Sequence, residues 1–288
     1  VDWRDSAPFS SIFLASSFLC SQTESTPAPP PLTQTVGTPL AQQRKNEEYA
    51  ALMQTELRIL DLIRPQIGLS VPTPIYRNAD CMAYPFLDGQ PLSRRTVVAL
   101  PDNIQDKLAQ QVGAALYRLH TIDISNLDWD LPETRAPVHL EDWLNLQTRT
   151  KEKLFPLMQA YQREWADDLF NSVLADPDSD PYRPALIHGD LASYHILFDD
   201  RTNTITGVID FGMAGRGDPA SDIGNLISIY GESFVQRMRP TYPDLEKLLV
   251  RARFYAQQLE LEWTLLGLET SETFGFTAHL GGARDIRG

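Results

Sequence analysis

Residues 185–212, ALIHGDLASYHILFDDRTNTITGVIDFG, hold the reading on which the fold turns. Ala185 to Ile187 lead apolar into His188-Gly189-Asp190. His195 to Phe198 reads as a short strand, Asp199 to Asn203 as a turn, and Thr204 to Phe211 as the returning strand. Folded as a hairpin about Arg201, the segment places His195 opposite roughly Val208 and brings Asp210 near the loop that carries Asp190. Three polar groups able to bind metal or protons then converge from apolar surroundings. Each has an ordinary explanation on its own. His188 reads as a structural histidine bonded to backbone, Asp190 as a turn residue, His195 as a packed core histidine and Asp210-Phe211-Gly212 as a strand end. The joint pattern carries the weight.

Phosphoryl transfer from a nucleotide needs few protein groups. One carboxylate orients the acceptor hydroxyl and takes its proton, while other ligands hold Mg²⁺ against the phosphates. Asp190 suits the first role and Asp210 the second; a carboxylate oxygen matches that hard cation better than a histidine does.

The same residues resemble the catalytic core of the aminoglycoside and macrolide phosphotransferase family, which shares its fold with protein kinases. The family motif, His-Gly-Asp, four residues, then Asn or His, followed by Ile-Asp-Phe/Trp-Gly, is matched by His188-Gly189-Asp190, His195 and Ile209-Asp210-Phe211-Gly212. Histidine at 195 resembles the branch that contains 2″-aminoglycoside kinases and macrolide kinases. The resemblance implies an α+β, protein-kinase-like two-lobe fold with Asp190 as catalytic base, His195 and Asp210 as Mg²⁺ ligands, and ATP or GTP as phosphate donor. Asp218-Pro219-Ala-Ser-Asp222 resembles the Asp-Pro-x-x-Asp that opens the family's next helix. Asp218 is a good N-cap, with Pro219 at the first helical position, and Asp222 is expected to brace the catalytic loop. Leu116-Tyr-Arg-Leu-His120 resembles a Leu-x-x-Leu-His helix, and Pro72 to Gly89 the approach to the family's hinge. Tyr84 to Leu87 are therefore the candidates to pair with the purine; Pro85 has no N–H to donate, which favours the Phe86 amide.

The resemblance covers roughly residues 46–288. Its organisation implies a remnant of a nucleotide lobe and hinge over 46–88 and a catalytic, substrate-binding lobe over 89–288, with 1–45 poorly interpretable. Apolar residues recurring from Tyr49 to Ile63 predict a helix, on which Glu56 matches the family's lobe glutamate. Its cationic partner, by a spacing of about fourteen residues, falls at the neutral Gln42; Arg44 or Lys45 stands nearest. Gly37 is the one glycine before Gly68, so no phosphate-cradling glycine loop is legible. Composition changes abruptly near Lys45, which favours an upstream sequence foreign to the lobe over a divergent lobe or a lost nucleotide site.

Further elements follow from pattern. Cys81 to Leu87 reads as a strand ended by Asp88-Gly89. A helix is expected from Asp102, capped by Asp102 or Asn103, to His120. Residues 139–172 read as amphipathic helix, and the segment from Leu249 to Leu268 as a C-terminal one.

A net charge of −13 over 288 residues disfavours a sequence-independent grip on nucleic acid and suits a cationic substrate. The family's acceptor site lies between catalytic loop and C-terminal helices, which makes Glu232, Glu262 and Glu269 candidates to hold ammonium groups. Glu262 comes first, flanked by Leu261, Leu265 and Leu266. Cys20 and Cys81 form no disulfide framework or zinc pattern, and a cytoplasmic protein is expected. The apolar run from Ile12 to Cys20 is too short to span a bilayer and has no basic n-region. Two rivals stand beside the antibiotic-type kinase: a catalytically silent kinase-like binding protein, and a hydrolase whose metal site is built from His188, Asp190, His195 and Asp210.

Overall fold

A computed structural model describes residues 40–43, 47–78, 81–174 and 182–270, with side chains described from residue 52 onward except at Cys81. Helix α1 (Glu47–Ile63) has the expected bounds, and its apolar stripe serves two cores. Met53 and Leu57 pack with Met82 and Tyr84 in a small cluster edged by Leu87. Further along, Ile59, Leu60 and Ile63 are fully buried in the main core. The small cluster lies against an antiparallel sheet in which β3 (Cys81–Tyr84) pairs with β1 (Leu40–Gln43) on one side and β2 (Tyr76–Arg77) on the other. Strand β3 stops at Tyr84, three residues short of the expected Leu87, because Pro85 cannot extend the ladder.

The catalytic stretch forms the expected hairpin with a corrected register. Strand β6 (Ile196–Asp199) pairs with β7 (Thr204–Val208) and, on its other edge, with β4 (Gln90–Pro91). Ile196, not His195, faces Val208, and an irregularity falls between Leu197 and Phe198. His195 therefore stands just outside the ladder, its carbonyl accepting the Ile209 N–H at 3.0 Å. The returning strand ends at Val208 rather than Phe211, because Asp210 adopts a left-handed backbone with φ +67°.

Helix α2 (Arg94–Ala99) is capped by Ser93, and α3 (Asp102–His120) has the expected length. Its N-cap is Pro101 rather than Asp102 or Asn103; Asp102 lies in the first turn, where a carboxylate favours the helix dipole. The helical stretch expected over 139–172 is present but interrupted. Helix α4 (Leu140–Arg149) runs into a wide turn of π type (Thr150–Leu154) and a tight turn (Phe155–Leu157), and α5 (Ala160–Leu174) follows. Pro156, without an N–H, forces the interruption.

Strand β5 (Ala185–Ile187) pairs with β8 (Gly215–Gly217) and feeds the His188 loop. Asp218 then caps α6 (Pro219–Tyr230), accepting the Ala220 N–H at 3.0 Å, as its motif predicts. Helices α7 (Glu232–Gln236) and α8 (Leu245–Thr270) complete the larger, mainly helical part. Asp218 is fully buried and takes Arg251 Nε at 2.8 Å and the Tyr255 hydroxyl at 3.2 Å, so α8 is tied to the start of α6.

The α6–α8 contact depends on the absence of a side chain at Gly224: a Cβ there meets Tyr255 Cβ at 2.5 Å and the Ala252 carbonyl at 2.8 Å. Gly224→Ala is expected to cost about 1–3 kcal/mol through overpacking, read from denaturant unfolding. An unshifted midpoint would show that the helices are not this close.

Candidate active site

The path from β5 into the catalytic loop needs a glycine. Gly189 has φ +79°, and a Cβ would sit 2.8 Å from both the Met213 carbonyl and Thr134 Oγ1. This turn aims two consecutive amides at Asp222. His188 N–H donates to Oδ2 at 2.8 Å and Gly189 N–H to Oδ1 at 2.9 Å, and Asp222 has no exposed surface. The expected brace is in place. Burial alone pushes the Asp222 carboxyl upward, but the His120 bond and the His188 amide outweigh it and hold it below the carboxylate range. His188 is structural, as read: Nε2–H donates to the Ile209 carbonyl at 3.1 Å and Nδ1 accepts the Asp190 N–H at 3.3 Å. Burial keeps its pKa below the usual histidine value.

His195 is the hub of the site. Its Nδ1–H donates to the Asp190 carbonyl at 2.6 Å, and its Nε2 lies 3.3 Å from Asp210 Oδ2, with the side chain only 3% exposed. Burial opposes its protonation, but the Asp210 bond and the charge of Asp190 prevail and raise its pKa. Asp210 is held low by the same bond, together with the Gly212 N–H, against its own burial. Asp190 is partly buried at the mouth of the loop. Asp190, His195 and Asp210 therefore converge, as the hairpin reading required. The left-handed Asp210 is a strained backbone of the kind held at functional sites.

Glu56 reaches this cluster from α1. It accepts a hydrogen bond from the Phe211 N–H, and burial, then the charge of Asp210, push its carboxyl up to about 8. Among the described residues no Lys or Arg pairs with it; Lys45 and Arg44 lie outside them. Tyr84 is buried at the end of β3, and its hydroxyl is raised by burial and by the charges of Glu56 and Asp210, so its side chain faces the same cluster. Phe86 follows in irregular chain and is 53% exposed.

The three acidic candidates for the acceptor separate. Glu232 is fully buried and receives Arg253 Nε at 3.0 Å and Nη2 at 2.9 Å, which makes it a strut between α7 and α8, not a cleft group. Glu269 is paired with Arg149 at 2.6 Å and Lys153 at 2.7 Å, so its charge is already neutralised. Glu262 differs. It keeps some exposed surface, yet surrounding protein pushes its carboxyl up to about 8, with Arg149 opposing and Asp142 reinforcing the shift. One turn before it on α8, Gln258 is 2% exposed, donates Nε2–H to the Pro137 carbonyl at 3.2 Å and leaves Oε1 without a partner. The Pro137 loop packs on the chain just beyond Asp210: Thr134 Oγ1–H and Arg135 N–H both donate to the Met213 carbonyl.

Sequence reasoning missed Tyr194 and Gln258. Tyr194 lies edge-on to His195 with centroids 4.4 Å apart, and its hydroxyl is raised by burial and by Asp190 and Asp210. It occupies the motif's unconstrained four-residue spacer, where no residue type signals a role. Gln258 carries no sequence signal, since a glutamine inside an apolar helix face reads as an ordinary core residue.

As for a metal, no group of three or more His, Cys, Asp or Glu among the described residues is placed to hold one. The facing Asp210 oxygen and His195 nitrogen make a two-donor set. That fits a cation completed by phosphate oxygens, as Mg²⁺ is, better than the three-ligand cage of a catalytic zinc.

Fold and site together place the molecule in the class of kinase-like phosphotransferases. The chain belongs to the phosphotransferase enzyme family, whose model matches residues 32–255. It is 34% identical over 111 residues to viomycin phosphotransferase of Streptomyces vinaceus, covering 38% of this chain and 36% of that one. It is 27% identical over 200 residues to the uncharacterized protein YcbJ of Bacillus subtilis, covering 64% and 60%. The chain thus spans less than two thirds of either curated relative. Among solved structures, the GDP and kanamycin complex of APH(2")-IIia superposes with a TM-score of 0.70 at 24% identity, covering 84% of each chain. Macrolide 2'-phosphotransferase MphH from Brachybacterium faecium gives 0.59 at 21% identity, over 84% and 83%. At these identities the structural likenesses establish the fold. No helix among the described residues is long and apolar enough to cross a membrane.

A raised carboxyl pKa has a signed consequence for stability. The folded state holds the Glu262 proton up to about pH 8, whereas an unfolded glutamate releases it near pH ~4.3. Folding is therefore favoured most at low pH on this account, and the contribution is lost as pH rises through that window. Glu262→Gln is expected to lose less stability than the parent between pH 5.5 and 8.5, by on the order of 1–2 kcal/mol after discounting for its residual exposure. Thermal melts across that range check it; parallel curves would show the carboxyl to be unperturbed.

Proposed function

We propose that this chain is a small-molecule kinase, transferring the γ-phosphate of ATP or GTP to a hydroxyl of an aminoglycoside-like antibiotic or a related cationic compound. The observation that carries the reading is the His195 imidazole, bonded to the Asp190 loop through one nitrogen and facing Asp210 with the other. Asp190 is the base. It accepts the acceptor hydroxyl proton as the new O–P bond forms, while the bond from the γ-phosphorus to the β–γ bridging oxygen breaks and the nucleoside diphosphate leaves. Asp210 and His195 Nε2 would hold Mg²⁺, which neutralises phosphate charge and keeps the leaving group in line.

Residues 46–88 are read as what remains of the nucleotide lobe and hinge and residues 89–288 as the catalytic, substrate-binding lobe; against the expectation of a foreign upstream sequence, β1 (Leu40–Gln43) pairs into the sheet of the small lobe and the family match begins at residue 32. The Phe86 amide is assigned to the purine edge and Tyr84 to the floor of the nucleotide site, with Lys45 or its neighbour as the partner of Glu56. Glu262 is assigned to a substrate cation; Glu232 and Glu269 are not, since their charges are spent on arginine and lysine. The GDP-bound neighbour makes GTP as worthy of test as ATP, and the partial match to viomycin phosphotransferase adds viomycin to the acceptors to be tested. The acidic, cysteine-poor composition is that of a cytoplasmic protein.

A second reading, a silent kinase-like binding protein, is favoured by one observation: burial, and then the charge of Asp210, raise the Glu56 carboxyl toward 8. One experiment separates the two. Purified protein with Mg²⁺ and either ATP or GTP is screened for nucleotide consumption against viomycin, aminoglycosides and macrolides, with nucleotide-induced thermal shift in parallel. Turnover with a cationic acceptor supports the kinase. Nucleotide shift without any turnover supports the silent protein, and the absence of both overturns the nucleotide site. Asp190→Ala is expected to lower kcat about 10²–10⁴-fold with the thermal shift retained, and normal turnover in that variant would remove Asp190 from its role.

A further inference from the structure

The Asp222 carboxylate that braces the catalytic loop is itself held from behind. His120, the last residue of α3, places Nε2 3.0 Å from Asp222 Oδ2, and its Nδ1 lies 2.7 Å from the hydroxyl of Tyr242. Tyr242 stands in the turn before α8, is 3% exposed, and meets both His120 and Tyr117 edge-on, with centroids 5.8 and 5.5 Å apart. The His120 side chain is 3% exposed. A carboxylate oxygen can only accept, so Nε2 carries the proton, and in the neutral ring Nδ1 accepts from the tyrosine hydroxyl. The bonds therefore converge on one carboxylate: His120 Nε2–H and the His188 and Gly189 N–H groups all donate to Asp222, and the Tyr242 hydroxyl holds the far nitrogen of His120.

We propose that His120, oriented by Tyr242, is a positioning residue for phosphoryl transfer. It locks the rotation of the Asp222 carboxylate so that one oxygen meets the His188 N–H and the other the Gly189 N–H, and thereby fixes where Asp190 stands. The two loop amides, at 2.8 and 2.9 Å, both belong to the segment being positioned, and His120 Nε2, 3.0 Å from Oδ2, is the donor that ties the carboxylate to the helical core. The geometry carries this because the three holders come from separate elements. His120 closes α3, Asp222 opens α6 and Tyr242 precedes α8, so the loop is referenced to the rigid helical core and not to its own strand. A misplacement of about 1 Å in such a group costs on the order of 10²-fold in rate, so a small release of Asp222 has a measurable effect on turnover. His120 touches neither the acceptor nor the nucleotide groups assigned above and acts only through Asp222.

The test compares His120→Leu, His120→Gln, Tyr242→Phe and Asp222→Asn by amide hydrogen exchange over residues 186–191 and by steady-state turnover. The Leu variant is expected to speed exchange at 188–190 about tenfold while leaving distant core amides protected. It is expected to lower kcat about tenfold with KM for the nucleotide within about threefold. The Gln variant, whose amide donates to a carboxylate and accepts from a hydroxyl, is expected to recover both to within about threefold. Leu at 120 in the Asp222→Asn background is expected to add little, since the two act in series. Equal behaviour of Gln and Leu, or losses that multiply, overturns the proposal. So does faster exchange spread over the whole chain. Should the Leu variant fail to fold, Tyr242→Phe, with faster exchange at 188–190 and about two- to fivefold lower kcat, decides the matter alone. The exchange arm needs no acceptor, so its failure is separate from a failure to find a substrate.

Discussion

A single carboxylate without solvent access, Asp222, sets the geometry on which the rest of the site depends. Burying an ionised group is costly unless donors surround it, and here the donors are the two amides of the catalytic loop and the imidazole of His120. Because Gly189 is left-handed, both amides point the same way, and the loop can satisfy the buried charge only in that conformation. The loop's shape and the charge's solvation are thus one requirement. Everything downstream, from the Asp190 carbonyl that receives His195 to the Asp210 that faces it, inherits its placement from that requirement.

The second constraint is the strained turn at Asp210. A left-handed non-glycine residue costs of order 1–3 kcal/mol, and it is held by bonds on both sides: Ile209 N–H to the His195 carbonyl, and Phe211 N–H to Glu56. The first bond belongs to the β6–β7 hairpin and the second comes from α1, so the Asp210 turn forms where the small sheet-bearing part meets the helical part. The α1 stripe reflects the same arrangement, with Met53 and Leu57 packed toward the small sheet and Ile59, Leu60 and Ile63 in the main core. Placement of Glu56 at the cluster therefore follows from packing on either side of it.

Legibility varied from residue to residue for identifiable reasons. The His188-Gly189-Asp190 loop, His195, Asp210 and the Asp218 cap were readable because each depends on local chain geometry: a glycine turn, a short hairpin, a cap and a proline at the first helical position. The bounds of α1 and α3 were readable from apolar periodicity. Less local features were misjudged. The hairpin register slipped by one because the irregularity at Leu197/Phe198 has no sequence signature, and the helical stretch expected over 139–172 was drawn through Pro156. Glu232 and Glu262 look alike in sequence, both acidic and both near apolar neighbours. Arg253 lies twenty-one positions from Glu232 and neutralises it, whereas among the described residues none donates a hydrogen bond to Glu262.

By itself the amino-acid order determined the family, the two-lobe α+β class and the convergence of Asp190, His195 and Asp210, since these are written in short spacings that a turn or a helix converts directly into proximity. Only the tertiary structure decided which carboxylates remain free, which histidine bridges and which one braces, and that Tyr194 lies against His195. The physical reason is that a side chain's charge and hydrogen-bonding capacity are consumed by partners remote in sequence. His120 and Asp222 are separated by 102 positions and Tyr242 lies 122 beyond His120, distances over which residue order carries no record of contact.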